Sequence, residues 1–321
     1  MLPPGNPHIH FDNYLLRLRN DIKIIGASPL LKNWHDTSFK SYNSASKKIG
    51  LSESFYRAFV TGRLAVPIWA LELIYNIDKK IIDEIYHSNI YFTARNKKDV
   101  LPKSINPKLA YLIGYLHGDG HIDSNGKRIS FFDKHMEQLE LINRLIKIIF
   151  NVEGSIYIRK NKIYNSKSPT LDIRRATVNS FFSEVIGIKR GKRDANKIPS
   201  IVKQNKILLK WYLCGLFDAE GAMPLNPKNR REIYIDIAMK DKDLIYSVKL
   251  LLEKEFGIKS YGPYVRIAKN NKIKNPTIES ELKIRKLSEI NKFLSIIGTI
   301  HPDKLRRKEL MLNLLKNKML L

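Results

Sequence analysis

The sequence predicts an α+β protein built from two related αββαββα half-domains, with a small all-α domain in front of them. Three observations lead to this prediction. A nine-residue motif occurs twice, the same order of strand-like and helix-like segments follows each copy, and short helical segments separated by glycines precede the first copy. Because a duplicated unit usually folds as a pseudo-twofold pair, we expect a helical domain over residues 1–100 and half-domains over 101–200 and 201–321.

The helical segments come first along the chain. Residues 44–49 predict a short helix that stops at Gly50, and Ser52 is placed to cap a second helix over residues 53–60. A third helix follows Pro67, where an apolar stripe begins. Short helix, glycine turn and second helix is the order of a helix-turn-helix module.

This stretch resembles the phage-repressor type of helix-turn-helix domain. The matching residues are Ala45, the run Ile49-Gly50-Leu51-Ser52 and the pair Gly62-Arg63. The resemblance implies that residues 53–59 form a DNA recognition helix. The side chains that would contact DNA are Ser54, Tyr56, Arg57 and Arg63. The alternative is a small helical packing unit, because such patterns also recur by accident.

The repeated motif spans residues 112–120 and again 213–221, so the second copy begins 101 residues after the first. The first copy is followed by predicted strands at 129–132, 155–163 and 170–174 and by helices at 139–150 and 180–187. The second copy is followed by strands at 233–239, 264–268 and 278–284 and by helices at 244–256 and 290–298. The matching order supports a duplication.

Each copy of the motif predicts an apolar helix with small residues four apart, which share one helix face. These are Gly114 and Gly118 in the first copy, and Gly215 and Ala219 in the second. Two such smooth faces allow helix backbones to pack closely. The glycines that follow, Gly120 and Gly221, are expected to end each helix in a left-handed turn.

An acidic residue ends each predicted helix, Asp119 in the first copy and Glu220 in the second. A carboxylate at a helix C-terminus faces the negative end of the helix dipole, which costs ~0.3–1 kcal/mol. If the helices pair, the two carboxylates also repel each other. A bound divalent cation offsets both effects, and oxygen ligands suit Mg²⁺.

The two motifs resemble the paired signature helices of LAGLIDADG homing endonucleases in their single-chain, two-repeat form. The resemblance covers roughly residues 101–318. It implies that Asp119 and Glu220 bind Mg²⁺, with Mn²⁺ as a substitute, at the scissile phosphates of double-stranded DNA. It also implies saddle-shaped antiparallel sheets along the major groove and a monomer with internal pseudo-symmetry.

By position in that family, basic residues assist near the metal-binding acids. Lys192 and Lys304 are the candidates, and Lys134 and Lys240 are weaker ones. Strand residues that would contact DNA are Arg174, Lys283 and Arg285. Each lysine could equally be a phosphate-contacting or solvated surface residue.

The first motif departs from the family pattern at its sixth position, which is commonly acidic. Asp218 keeps the acid in the second motif, but His117 replaces it in the first. We expect His117 to be a hydrogen-bonded interface histidine. Asp123 is expected to be a strand or turn residue, and His301 to precede a helix that begins at Pro302.

The charge balance fits this interpretation. The chain of 321 residues has 57 Lys and Arg against 31 Asp and Glu, a net charge of +26. The excess is spread as +6, +8 and +12 over residues 1–105, 106–200 and 201–321, which favours a long basic surface that binds nucleic acid. A single cysteine, Cys214, excludes an internal disulfide framework and a cysteine-based zinc site. We expect a cytoplasmic protein, because the sequence has neither a secretory signal nor a stretch that would span a membrane.

Two other functions remain open. A bacterial sporulation-regulator family joins a LAGLIDADG-like scaffold to a helix-turn-helix, so a DNA-binding regulator without cleavage activity is one. Retention of both Asp119 and Glu220 argues against it. An intron-RNA maturase is the other. An intein would need a nucleophile at its first residue and an asparagine at its last, so we expect a free-standing protein.

Overall fold

The computed structural model describes residues 8–9, 14–94, 97–161, 166–191, 197–224, 232–268 and 277–319. Within these residues the chain combines helices with three antiparallel sheets. The predicted α+β class and its two-repeat arrangement are confirmed.

The N-terminal region packs helices against a small sheet. Its elements are β1 (Lys23–Ile25), α1 (Ser28–Ser38), α2 (Tyr42–Ile49), α3 (Glu53–Val60), β2 (Val66–Pro67), α4 (Ile68–Tyr75), α5 (Lys79–His87) and β3 (Tyr91–Thr93). Strand β1 lies between β2 and β3 and is antiparallel to both. The region is mainly helical, as predicted. The strands are an addition to that prediction, because two or three residues are too few for period-two alternation to be recognised.

Helices α2 and α3 are joined by a three-residue turn at residues 50–52. The Ser41 hydroxyl accepts a hydrogen bond from the Ser44 amide at 3.2 Å and caps the start of α2. Gly50 ends that helix with φ of 82°, a left-handed conformation that favours glycine. The Ser52 hydroxyl then accepts from the Phe55 amide at 3.4 Å and caps α3. The local sequence therefore fixes both helix ends.

The first half-domain follows the predicted αββαββα order. Its elements are α6 (Pro107–Asp119), β4 (Gly120–Ile122), β5 (Ile129–Phe132), α7 (Met136–Phe150), β6 (Ser155–Asn161), β7 (Ser166–Ile173) and α8 (Ala176–Ser180). Helix α8 continues into a π-helical stretch at Phe181–Val185. The sheet order is β4-β5-β7-β6, with every pair antiparallel.

The second half-domain repeats this order after a short helix, α9 (Ser200–Lys203). Its elements are α10 (Lys206–Glu220), β8 (Gly221–Ala222), β9 (Ile235–Met239), α11 (Lys242–Phe256), β10 (Tyr261–Ala268), β11 (Thr277–Ile284) and α12 (Leu287–Ile296). The sheet order is β8-β9-β11-β10, which matches the first sheet strand for strand. A final helix, α13 (Pro302–Met319), follows the repeat.

Each face of the first sheet has a different character. The face toward α7 is apolar, and its side chains are fully buried: Ile129, Phe131, Leu171 and Ile173. Burial of each such side chain stabilises the fold by about 1.5–3 kcal/mol. Ser130 and Asp172, paired in register, point to the opposite face because successive residues alternate. The sheet thus presents a polar face away from its core.

The N-terminal region is packed directly on the first half-domain. The Tyr14 ring lies 6.0 Å from the ring of Phe181 in the first half-domain. The Thr177 hydroxyl donates to the Asp99 carboxylate at 2.5 Å. These contacts hold the described part of the N-terminal region against α8 and the π-helical stretch that follows it.

Candidate active site

Helices α6 and α10 begin with equivalent asparagine caps. The Asn106 side-chain oxygen accepts from the Leu109 amide at 2.9 Å, and that of Asn205 accepts from the amides of Ile207 and Leu208 at 2.9 and 3.1 Å. Each cap satisfies amides that have no partner within the helix. The two motif helices therefore start in the same way.

The two helices are in backbone contact at their glycines. A Cβ added to Gly114 would overlap the carbonyl oxygen of Tyr212, and a Cβ added to Gly215 would overlap that of Tyr111. Both distances would be shorter than the 3.0 Å that real Cβ atoms keep. The two contacts are related by the internal pseudo-twofold, because Gly215 follows Gly114, and Tyr212 follows Tyr111, by the 101 residues that separate the motifs.

The same contact brings the terminal carboxylates together. A Cβ on Gly118 would overlap Ala219 and lie 2.8 Å from Cγ of Glu220. Asp119, the next residue, is half-buried, and burial together with the charges of Glu220 and Asp133 raises its pKa to about 8. The pair therefore favours a bound proton or a bound cation.

The glycines after the motifs correct one expectation. Gly120 has φ of −105° and Gly221 has φ of −84°, so both are extended and neither forms the predicted left-handed turn. Glycine is needed there for space, since a Cβ would overlap the side chain of Leu116 in one case and of Phe217 in the other. The chain passes directly from each helix into a strand.

The sixth motif positions face tyrosines of the opposite helix. The Tyr111 hydroxyl donates to Asp218 at 2.8 Å, and the Tyr212 hydroxyl and His117 Nδ1 form a hydrogen bond of 2.8 Å. His117 is buried, consistent with an interface histidine. The two hydrogen bonds occupy equivalent places on either side of the interface.

Asp218 also fixes the segment that leads into α13. Its carboxylate accepts from the Thr299 hydroxyl and from the amides of Ile300 and His301, the last two at 3.0 Å. Burial raises the pKa of Asp218, although these hydrogen bonds oppose the shift. Asp218 therefore connects the motif helix to the C-terminal helix.

Lys304 reaches the end of helix α10. Its ammonium donates to the carbonyl oxygens of Phe217 and Asp218 at 2.6 and 2.8 Å, where the helix dipole is negative. Burial lowers the pKa of Lys304, while Asp218, Asp119 and other nearby carboxylates oppose that shift. A cation is thus held beside the carboxylate pair.

A groove of about 490 Å³ lies beside Asp119. Its charged lining includes Asp119, Asp133, Lys134, His301, Lys304 and Arg307. Burial alone would raise the pKa of Asp133, but hydrogen bonds from His301, Tyr115 and the His135 amide outweigh it and lower that pKa. The groove combines anionic and cationic groups next to the motif acids.

Asp133, His135 and His301 bring one potential ligand atom each to within 4.8 Å of one another. Both ring nitrogens of His301 already take part in hydrogen bonds within the protein. Its Nδ1 accepts from the Asp303 amide at 3.2 Å, so the ring proton lies on Nε2 and is donated to Asp133 at 3.1 Å. His301 therefore caps α13, as expected from the sequence, and joins the half-domains through Asp133.

The remaining basic candidates are placed differently. Lys134 and Lys240 are exposed at the starts of α7 and α11. Lys192 lies outside the described residues. Asp123 lies in the turn after β4, where Arg128 pairs with it at 3.1 Å.

The strand candidates lie at the sheet ends. Arg174 directly follows β7, has a side chain that is 72% exposed, and pairs with Asp172 at 3.3 Å. Lys283 in β11 pairs with Glu281 at 2.9 Å, and Arg285 is exposed just beyond that strand. Neighbouring carboxylates thus hold two of these cations.

The structure corrects one helix-turn-helix candidate. Ser54, Arg57 and Arg63 are exposed, but Tyr56 is completely buried, with its hydroxyl 3.2 Å from His35 Nδ1. Tyr56 therefore belongs to the core of this region and does not face a partner. It lies on the inner side of α3, together with Phe59.

Several residues of the site were not found from the sequence. Tyr111 and Tyr212 repeat at the same spacing as the motifs, and that signal could have identified them. Asp133 has no acidic counterpart in the second half, where the equivalent residue is Met239 at the end of β9, so the repeat gave no indication of it.

A family model described as "LAGLIDADG-like domain" matches residues 106–187 and 208–298, more than half of the chain. The chain is also 31% identical over 275 residues to the glutamine–fructose-6-phosphate aminotransferase (isomerizing) of Methanocaldococcus jannaschii. This match covers 84% of this chain and 23% of that protein. It is 22% identical over 204 residues to the replication factor C small subunit of that organism, covering 63% of this chain and 10% of that protein. The chain spans less than a quarter of the length of these curated relatives.

Solved structures similar to the chain include two homing endonucleases and a DUF199/WhiA protein. The homing endonuclease I-WcaI bound to its DNA recognition sequence has 18% identity and a TM-score of 0.45, covering 63% of this chain and 85% of that one. I-DmoI in complex with DNA and Mn has 20% identity and a TM-score of 0.40, covering 60% and 96%. Full-length DUF199/WhiA from Thermatoga maritima has 18% identity and a TM-score of 0.43, covering 64% and 60%.

Among the described residues, none of the helices has the length and apolar character needed to cross a membrane. The two segments matched by the family model contain the two motif helices and the sheets that follow them. The chain belongs to the LAGLIDADG-like domain family.

Proposed function

We propose that this protein is a site-specific endonuclease that hydrolyses both strands of duplex DNA with a divalent metal ion. The observation that carries the proposal is the convergence of Asp119 and Glu220 from two helices in backbone contact. With the pKa of Asp119 raised to about 8, the pair is unfavourable when both groups are charged and no cation is bound. A protein has no structural need for such a pair.

The two carboxylates fit Mg²⁺ or Mn²⁺, which prefer oxygen ligands. Asp119 and Glu220 would hold the metal, which supplies Lewis-acid polarisation of the phosphodiester and lowers the pKa of the attacking water. Lys304 adds positive charge beside the carboxylates while it is anchored on carbonyls of α10. Since one chain supplies both acids, the protein is proposed to act as a monomer.

DNA binding would use the polar faces of the two sheets and the exposed cations near them. Arg174, Lys283 and Arg285 lie at strand ends, and Lys134 and Lys240 lie at helix starts in equivalent places of the two halves. The exposed residues Ser54, Arg57 and Arg63 would extend the contact from the N-terminal region. The net charge of +26 supports a polyanionic partner.

The test is cleavage of a random-sequence duplex library. The full-length protein is incubated with the library in Mg²⁺, in Mn²⁺ and in EDTA, and new ends are sequenced. The proposal expects paired ends at a shared sequence that depend on metal. Tight sequence-specific binding with no ends in either metal would contradict it.

That second outcome would support a DNA-binding regulator. Two features favour this alternative. Helices α2 and α3 have the order of a helix-turn-helix, and the Lys304 ammonium already hydrogen-bonds to two carbonyls instead of pointing freely toward a substrate. Selection of bound duplexes from the same library would then give the recognised sequence directly.

A further inference from the structure

A second open groove, of about 500 Å³, lies at the junction between the N-terminal region and the first half-domain. Its cationic lining residues are Arg19, Lys97, Lys127, Arg128, Arg174 and Arg175. Only three carboxylates line it among the described residues: Asp21, Asp99 and Asp123. The lining therefore has three cations in excess.

Each lining carboxylate is already paired with an arginine. Arg19 pairs with Asp21 at 2.7 Å, and Arg128 pairs with Asp123 at 3.1 Å. Asp99 lies 3.7 Å from Arg175 and accepts from a threonine hydroxyl. Arginines of the lining thus neutralise the negative charge of its three carboxylates.

The excess positive charge is on Lys97, Lys127 and Arg174. Both lysines are exposed, and neither forms an ion pair with a residue that the structure describes. The Arg174 side chain is 72% exposed, and its partner Asp172, only 1% exposed, is shared with Arg128. Lys97 and Lys127 are therefore available to an external anion, and the exposed part of the Arg174 guanidinium can contact one beside its ion pair with Asp172.

The walls of the groove are fixed relative to each other. The Arg19 amide donates to the Ser180 hydroxyl at 3.0 Å, and the Arg19 guanidinium donates to the Gly126 carbonyl at 3.3 Å. The Asn179 amide group donates to the same carbonyl at 3.0 Å. These hydrogen bonds hold the N-terminal region against the turn between β4 and β5. The cations of the groove therefore need little ordering when an anion binds.

The groove is continuous with the polar face of the first sheet through Asp172. This carboxylate accepts from Ser130 at 2.7 Å and from Tyr157 at 3.0 Å on that face, and from Arg128 and Arg174 at 3.3 Å at the groove. A polyanion lying on the sheet would meet the groove at its end.

We propose that this groove seats the sugar-phosphate backbone of duplex DNA as the DNA leaves the first sheet toward the N-terminal region. The inference rests on the proposed function, because it needs DNA to lie on the polar face of the sheet. It adds a specific role for the junction. The groove would lengthen the contact on one side of the molecule and make DNA binding asymmetric.

The test compares two triple variants of the full-length protein, both checked for folding by circular dichroism and thermal unfolding. One is Lys97→Gln/Lys127→Gln/Arg174→Gln. The matched control is Lys32→Gln/Lys108→Gln/Lys254→Gln, which removes the same charge from exposed positions outside the groove. Binding to fluorescent random-sequence duplexes of about 20 and about 50 base pairs is measured over a range of salt concentrations.

We expect the groove variant to lose about 2–3 from the slope of log affinity against log salt, since each phosphate contact contributes ~0.9. On the long duplex its affinity should fall about 10–100-fold, with a smaller loss on the short one and little change in the control. Equal losses in the two triple variants on both duplexes would overturn the groove assignment. Tighter binding of wild type to single-stranded RNA than to duplex DNA would overturn the choice of DNA as the occupant. Failure of wild type to bind any duplex would instead contradict the proposed function itself.

Discussion

The two half-domains differ most at the sixth position of their motifs. The first half has His117, which hydrogen-bonds to Tyr212, and the second has Asp218, which accepts from Tyr111 at the same distance of 2.8 Å. Asp218 additionally accepts from two backbone amides that lead into α13. The comparison shows that the helix interface has a tyrosine hydrogen bond on each side, whereas only the second half uses its sixth motif residue to anchor the C-terminal helix as well.

The two halves share the backbone contact at Gly114 and Gly215, and substitution of these glycines is its strongest test. Gly114→Ala and Gly215→Ala should each destabilise the protein by about 3 kcal/mol or more, because each added Cβ overlaps a backbone carbonyl that cannot move independently. Urea unfolding measures the effect. Gly257→Ala is the matched control, with a smaller loss of about 1–2 kcal/mol from its left-handed φ of 63° alone, because a Cβ there would have no atom within 4 Å. Equal stabilities of the three variants would refute a contact set by backbone geometry.

The different residues at the sixth motif positions predict unequal losses of stability when each is replaced by alanine. Asp218→Ala should cost about 3 kcal/mol, because it leaves buried amides and hydroxyls without an acceptor. His117→Ala should cost about 1–2 kcal/mol, since it removes the hydrogen bond to Tyr212 and a buried ring. The same unfolding experiment measures both. A larger loss for His117→Ala would reverse the assignment of the structural role.

A second feature of the end of α10 is its contact with the Lys304 ammonium. Lys304→Met should lower the cleavage rate roughly 10–100-fold, because it removes a cation beside the carboxylates and two hydrogen bonds to α10. Arg306→Gln is the matched control in α13, since the Arg306 side chain is 66% exposed. Single-turnover cleavage measures the effect. If both variants cleave alike, the ammonium has no role at the site.

The carboxylate pair also predicts a pH dependence of metal binding. The raised pKa of Asp119, about 8, means that its carboxyl is protonated below that pH and must lose a proton before a cation binds. The Mg²⁺ concentration for half-maximal cleavage should therefore fall about tenfold per pH unit up to pH 8 and then level off. Asp133→Asn removes a charge that raises this pKa and should move the levelling point to lower pH. A profile that is flat between pH 6 and 8 would contradict the buried pair.

The sequence was sufficient for those features that depend on periodicity and spacing. The two motif helices, the order of the strands and the helix at Glu53–Val60 are as predicted. The orientation of Tyr56 was missed because an aromatic residue on a short helix fits either face until its neighbours are known. The extended backbone of Gly120 was missed because a glycine after a helix serves either a left-handed turn or a close contact. The role of Asp133 depends on residues 168 positions away and has no local signal.

The proposed nuclease depends on Asp119 and Glu220 acting together as its metal-binding pair. The most direct measurement is cleavage and binding of the DNA that wild type cuts, by Asp119→Asn and by Glu220→Gln separately. Glu140→Gln and Asp243→Asn, which neutralise exposed carboxylates on α7 and α11, are the matched controls. We expect each motif variant to lose about 10³-fold or more in cleavage rate, with DNA affinity within about threefold of wild type, while the controls cleave normally. Cleavage by either motif variant at the rate of the controls would contradict the claim.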